Sequence, residues 1–248
     1  MGFYFVSRPA LLAALFIKEQ LREPVALFWT VVSPVVTYYL LTYARAPLSS
    51  EAVDYLSKTS WFYAFVSSNV ALFGFAFYIV GRRESGFLRY FVYTKRTMVV
   101  FFLIGQFSAY SVVSILYCSV FYILTRIFSG EFDVAEYLVI VGRFYVCFLL
   151  FSIPALLLTL VPLGFQNTNT LFSILSLTML ALEIISRGPV SPALAIVGFF
   201  NPMWWANKIM LDGVVECGLV FWVVAISLVF LFLVMCRYLL INPVWSRY

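Results

Sequence analysis

WFYAFVSSNVALFGFAFYIV, residues 61–80, and MVVFFLIGQFSAYSVVSILYCSVFYIL, residues 98–124, decide the fold class of this chain. Neither run holds a charged residue. Each is long enough, at ~1.5 Å rise per residue, to cross the ~30 Å hydrocarbon core of a bilayer. Between them lies Arg82-Arg83-Glu84-Ser85-Gly86-Phe87-Leu88-Arg89-Tyr90, a basic amphipathic stretch. Two flanking spans hold such a stretch at one membrane surface, where a soluble partner can grip it.

Working outward, 64% of the residues are hydrophobic and 11% charged, and the mean hydropathy is +1.00. A soluble domain would carry roughly a quarter charged residues, so the composition reads as a multi-pass integral membrane protein. The 27 Phe and 16 Tyr suit lipid-facing and interfacial positions. A β-barrel needs short alternating strands, and these runs are continuously apolar. Cys118, Cys147, Cys217 and Cys236 are scattered without metal-ligand spacing and read as small apolar residues. The absence of histidine removes the commonest general base and zinc ligand. At the N-terminus, Ala10 to Ile17 is short and leads into Lys18-Glu19-Gln20-Leu21-Arg22-Glu23, so no cleavable signal is expected.

Hydropathy predicts a single all-α transmembrane domain over 1–248, with six spans at 25–44, 61–80, 98–124, 138–161, 169–186 and 219–240. An even number puts both termini on one side. Segments 1–24, 81–97 and 237–248 hold ten basic residues against Glu19, Glu23 and Glu84. The opposite loops hold Arg45, Lys58, Arg126, Arg143, Arg187 and Lys208 against seven acids. The positive-inside rule therefore makes both termini cytoplasmic, in a plasma membrane such as the bacterial inner membrane. The basic excess needs no nucleic acid to explain it.

Three further elements follow from local signals. Ser7 to Glu23 reads as a helix on the inner surface, with Lys18, Glu19, Arg22 and Glu23 on one arc and Ala13, Ile17 and Leu21 on the other. Leu163 to Thr168 makes a tight turn, with Asn167 or Asn169 available to cap the next helix. The long segment 187–218 contains an apolar stretch, Val190 to Phe200, too short to cross. Asn201-Pro202 is an N-cap followed by a first-turn proline, and Gly213 is a stop signal, which predicts a short helix over 202–212. Its Trp204 and Trp205 favour an interface, and the whole segment reads as a re-entrant hairpin in the outer leaflet.

Taken as a helix, residues 84–93 place Phe87, Leu88 and Phe91 on one side and Ser85, Gly86 and Arg89 on the other. The plain alternative is a basic loop that only fixes topology. Here the order of elements matters: an interfacial N-terminal helix, Arg22-Glu23-Pro24 opening a span with Pro34 inside it, Glu84-Ser85-Gly86-Phe87-Leu88 after the second span, and Asn201-Pro202-Met203 before the sixth. Across essentially the whole chain this order resembles the permease subunits of the type-2 export family of ABC transporters. Departures are Phe87, where members often carry Thr, and the lack of proline in Tyr93-Thr94-Lys95-Arg96. The resemblance implies that Arg82, Arg83, Glu84, Gly86, Phe87, Leu88, Arg89 and Phe91 form a segment coupling the membrane part to an ATPase. It also implies that Asn201, Pro202, Trp204 and Trp205 belong to an outer re-entrant segment, and that the permease acts as a homodimer or with a sibling permease. ATP and Mg would be bound by a separate ATP-binding cassette subunit, and none of the four lysines here lies in a phosphate-binding GxxxxGK[ST] context.

Polar residues within spans have two readings each. Glu183 is a proton or substrate site, or the partner of Arg187 in a local ion pair. Asn69 and Gln106 line a pathway or hydrogen-bond between helices. The leading expectation is a non-enzymatic permease of an ATP-driven exporter for a hydrophobic or amphipathic cargo, a peptide or toxin or a small molecule. Alternatives are a secondary transporter, an exporter of polysaccharide or lipid, and a non-transporting assembly protein. An intramembrane enzyme lacks a base or metal site in the spans.

Overall fold

The computed structural model describes residues 2–23, 27–45, 55–92, 97–127, 132–186, 198–214 and 216–244, and every regular element among them is a helix. We number these α1 (Gly2–Leu21), α2 (Ser33–Arg45, entered through a π-helical turn Phe28–Val32), α3 (Tyr55–Glu84), α4 (Phe87–Val92) and α5 (Thr97–Arg126). They are followed by α6 (Val134–Thr159), α7 (Phe165–Ser186), α8 (Pro202–Asp212) and α9 (Gly218–Tyr238). The protein is a multi-pass, all-helical membrane protein in which α3, α5, α6, α7 and α9 are long and apolar enough to cross a bilayer. The expected first span, 25–44, is described only from residue 27. Its apolar helix Phe28–Thr42 alone is shorter than the ~20 residues a crossing needs, so five candidate spans stand among the described residues where six were expected.

α3 is the axis of the bundle. Of its most apolar stretch 72% is buried inside the protein, against 17% for α9, which leans mainly on α6 at the periphery. Around α3 the aromatic residues interlock. Tyr63 meets Phe121 edge-on at 4.7 Å, and Phe75 packs against Phe107, Tyr110 and Phe148 at 5.9–6.2 Å. Lipid supplies no hydrophobic drive between helices, so such interdigitation holds them by dispersion. The pairings Tyr63–Phe121 and Phe75–Phe107 run in opposite order along α3 and α5, which makes the two helices antiparallel. One end of the bundle therefore carries α4, and the other carries α8.

Two expectations are corrected at the α4 end. The inward face of α1 is only partly the expected Ala13, Ile17 and Leu21: Ala13 is buried and Ile17 packs partly against the core, but Leu21 does not. Its buried residues are Ala13, Phe16 and Gln20, while Leu21 is exposed. Tyr110 donates to Gln20 Oε1 at 2.8 Å, and Gln20 Nε2 donates to the Tyr117 hydroxyl at 3.2 Å. Those tyrosines stand ~20 and ~30 Å along α5 from Thr97, so the end of α1 is sunk into the bundle, drawn by two phenols that need partners. The second correction is the turn after α6. α7 starts at Phe165, with Thr168 N donating to Gly164 O at 3.0 Å, so Asn167 and Asn169 lie inside the helix and cap nothing.

At the other end the short helix appears as the caps dictate. Asn201 Oδ1 accepts from Met203 N at 3.1 Å, Pro202 occupies the first turn, and the helix stops at Gly213. Met203, Ala206, Ile209 and Met210 are buried against α3, α6 and α7, so α8 is built into the bundle end. Arg187 and 190–197 of the expected hairpin lie outside the described residues.

Candidate functional site

Arg82, Arg83 and Glu84 form the last turn of α3. The continuous helix expected over 84–93 is interrupted at Gly86, whose φ of +77° belongs to the left-handed region that side chains disfavour. Gly86 N donates to Arg83 O at 3.1 Å, closing α3, and Gly86 O accepts from Tyr90 N at 3.2 Å, opening α4. The glycine is thus required by the backbone turn. A Cβ there would meet nothing within 4 Å, so close approach of a neighbour is not what keeps it small.

The three residues before the turn each reach a different part of the chain. Arg82 pairs with Glu19 of α1, and its guanidinium lies over the rings of Phe16 at 4.3 Å and Phe87 at 4.8 Å. Arg83 is buried. It donates to Thr159 O at 3.0 Å, to Val161 O at 3.3 Å and to Leu163 O, satisfying carbonyls that the end of α6 leaves without helical partners. Its Nε also pairs with Glu84 at 2.9 Å. Glu84 accepts from Val244 N at 3.2 Å, tying down the segment after α9. In the last turn of α3 its carboxylate faces the negative end of a helix dipole, contrary to the first-turn position expected of it; Arg83 and the Val244 N–H offset that. These residues are internal fastenings.

On α4 the apolar face is as expected. Leu88 is fully buried, Phe87 stacks on Phe91 at 5.5 Å, and Phe87 also packs on Phe102 at 6.4 Å. The face left outward is Ser85, Arg89 and Tyr90, with Tyr90 90% exposed. Tyr90 was not singled out from sequence, although an aromatic ring on the polar side of so short a helix was the available signal.

Beside this assembly a cleft of about 590 Å³ opens into the bundle. Gln20 closes one side, Thr30 and Ser33 line it before and within α2, and Asn169 and Ser173 line it from α7. Its floor is Asn69 and Gly74 of α3 with Tyr110 and Tyr117 of α5, about halfway along both spans. Both π-helical stretches, Phe28–Val32 and Val70–Ala76, border it; such irregularities widen a helix locally and are frequent at functional sites. Gly74 is needed here, since a Cβ would sit 2.7 Å from the Tyr110 ring. Among the described residues the lining side chains are uncharged and can offer a guest amide and hydroxyl hydrogen bonds, with the Glu23 carboxylate near enough to act on Tyr110 and Tyr117.

Among the other sequence candidates, Asn69 lines the cleft and Gln106 does not. Gln106 is completely buried in α5, with no partner for its amide among the described residues. Glu183 is buried at the α8 end, where Asn207 Nδ2 donates to it at 3.2 Å and Ser60 donates to Asn207 Oδ1 at 2.8 Å. Its expected partner Arg187 lies outside the described residues. Trp204 and Trp205 pack edge to face at 4.7 Å, and Trp205 Nε1 donates to Phe199 O at 2.8 Å. Arg143, assigned to a loop by sequence, sits inside α6 and donates to Met210 O at 2.6 Å and Leu211 O at 2.9 Å, capping α8 with positive charge. Cys118, Cys147 and Cys217 are buried free thiols and Cys236 is partly buried, consistent with packing roles.

Protein McbE of Escherichia coli is 31% identical to this chain over 180 residues, which cover 71% of this chain and 73% of McbE. The chain belongs to the McbE family. No family model matches the chain, and no solved structure matches it. With McbE the chain thus shares sequence over most of both lengths.

Proposed function

We propose that this chain is the membrane-spanning permease subunit of an ATP-driven exporter, working as a pair of protomers with a separate ATP-binding cassette subunit that binds ATP and Mg. In this reading the α4 end and both termini face the cytoplasm of a bacterial cell, and α4 is the docking helix. The observation that carries the reading is the fastening at its base. Three consecutive residues tie the docking segment to α1, to the α6–α7 turn and to the segment after α9, while Arg89 and Tyr90 point outward.

A push on α4 therefore reaches several helices at once. Glu19 and Gln20 of α1 are adjacent in sequence; one holds Arg82 and the other holds the tyrosines at the cleft. Movement of the docking segment is relayed through α1 to Tyr110 and Tyr117, and loosening that contact opens the cleft toward the interface with the second protomer. The uncharged, hydrogen-bonding lining suits a peptide cargo with few charges better than a highly charged polymer.

Co-expression with the ATPase subunit tests this. The wild-type complex should contain two copies of each subunit, and the chain alone should hydrolyse no ATP. Arg89→Glu combined with Tyr90→Ala should abolish association while the unfolding temperature of the permease stays unchanged. Specific ATP hydrolysis by the isolated chain, or full association of the double variant, would defeat the proposal.

A further inference from the structure

A second cavity, about 250 Å³, lies on the far side of α3 from the polar cleft, in the angle between α9 and the helices it leaves partly uncovered. Phe75, Leu103, Phe107 and Leu156 form its floor, and Val229 and Leu233 of α9 form its outer wall. It exceeds the ~150 Å³ apolar cavity that holds a benzene and falls below the ~300–1,000 Å³ typical of sites for drug-sized ligands. That size suits a narrow chain. Val229 and Leu233 are themselves about two-thirds exposed, so the cavity is a groove open along the outside of the bundle.

Its depth is fixed by four helices. Counted at ~1.5 Å per residue, Phe75 stands about 14 Å from the end of α3, Phe107 about 15 Å from the start of α5, Leu156 about 5 Å from the end of α6 and Leu233 about 8 Å from the end of α9. All those ends are at the α4 side, so the groove lies within one leaflet, whose hydrocarbon half is ~15 Å deep. Val229, Leu233 and Arg237 follow one another at four-residue spacing and form one stripe down α9. The stripe leads from the groove to Arg237, an exposed residue at the surface of the same leaflet whose guanidinium lies 5.7 Å from the Tyr238 ring.

We infer that this groove holds one acyl chain of an anionic phospholipid, with the phosphate headgroup at Arg237. Assigning it to the inner leaflet rests on the orientation proposed above; the groove and its stripe do not. The charge selects the occupant. A hydrophobic cargo or the side chain of a second protomer would use only the apolar space, whereas an anionic lipid also uses the cation one turn beyond it, a residue whose position the positive-inside rule already favours.

The test is to purify the full chain in detergent with equal amounts of palmitoyl-oleoyl phosphatidylglycerol and phosphatidylcholine, and to count retained lipid by native mass spectrometry. Wild type should retain one phospholipid per chain, with phosphatidylglycerol favoured several-fold. Leu233→Trp, which fills the groove, should lose that lipid. Arg237→Gln, an exposed change, should keep a lipid but lower the preference to near parity. An unchanged lipid count in Leu233→Trp, unchanged headgroup preference in Arg237→Gln, or loss of a protomer–protomer contact as the only effect of Leu233→Trp would overturn the assignment. The measurement needs no ATPase partner, so a chain that retains phosphatidylglycerol but docks no ATPase would refute the exporter reading and leave the lipid site standing.

Discussion

Replacing Arg83 with Gln separates the buried fastening from the outward-facing residues within one short segment. The guanidinium is 1% exposed and satisfies three backbone carbonyls and one carboxylate. Hydrogen bonds involving a charged group are worth ~1.5–3 kcal/mol each. A simple sum overstates the loss, because the last carbonyls of α6 lie near the bundle end and can take up water in the variant. The better comparison is removal of one member of a buried ion pair, which costs ~3–5 kcal/mol through the charge left behind. We expect Arg83→Gln to lower stability by about that amount, a fall of roughly 10 °C in unfolding temperature at ~2–4 °C per kcal/mol for a chain of this size. Lys should rescue only in part, since a point charge on a flexible stem cannot serve three carbonyls in a fork. The assay is thermal unfolding in nanodiscs, with protease cleavage at residues 160–164 as a local readout. The exposed Arg89→Gln is the control and should unfold like wild type. If Arg83→Gln melts with wild type, or Arg89→Gln melts as low as Arg83→Gln, the division between internal and outward-facing residues is wrong.

Gly74→Ala should displace the Tyr110 ring, break its bond to Gln20 and cost about 1–3 kcal/mol, the usual penalty for overpacking; unfolding measured beside Gln20→Ala should show the two effects to be less than additive. Arg143→Gln uncaps α8 and should destabilise the bundle by about 1–3 kcal/mol, with hydrogen exchange rising first at residues 202–212; uniform exchange along the chain would contradict the capping role. Gly86→Leu should cost about 1–2 kcal/mol through its left-handed backbone, whereas Gly86→Asn should recover part of that; equal stability of the two variants would argue against a conformational requirement. In a background lacking Cys118, Cys147, Cys217 and Cys236, a cysteine at Ser85 should resist an impermeant thiol reagent in intact cells, and labelling there would reverse the proposed orientation.

The positions of α5 and α6 were legible because they depend only on runs of apolar residues: they lie within a few residues of 98–124 and 138–161, whereas the first expected span is not long enough among the described residues to count as a crossing helix. α8 was legible because its signals are local, from the Asn201 cap to the Gly213 stop. What sequence misassigned depends on distant partners. Arg82 and Arg83 look like surface charge in a basic stretch, and nothing nearby says that one will meet Glu19 and the other the carbonyls of the α6–α7 turn. Gln20, flanked by Glu19 and Leu21, gives no hint of the two tyrosines some ninety residues on that bury it. The polar cleft was half legible: Asn69 stood out within an apolar run, but the hydroxyls that complete the lining are too common in spans to single out.

The fastenings at Arg82, Arg83 and Glu84 also impose a sequence of events on synthesis. Their partners lie 63, 80 and 160 residues away along the chain, Glu19 before them and Leu163 and Val244 after. As the chain leaves the ribosome, Arg82 can find Glu19 at once. Arg83 must wait until α6 and its turn have entered the membrane, and Glu84 until α9 has followed. A nascent chain halted before α9 therefore carries at the base of α4 a carboxylate that lacks the Val244 N–H. The contacts that close the base of α4 are therefore complete only when the last helix is in place.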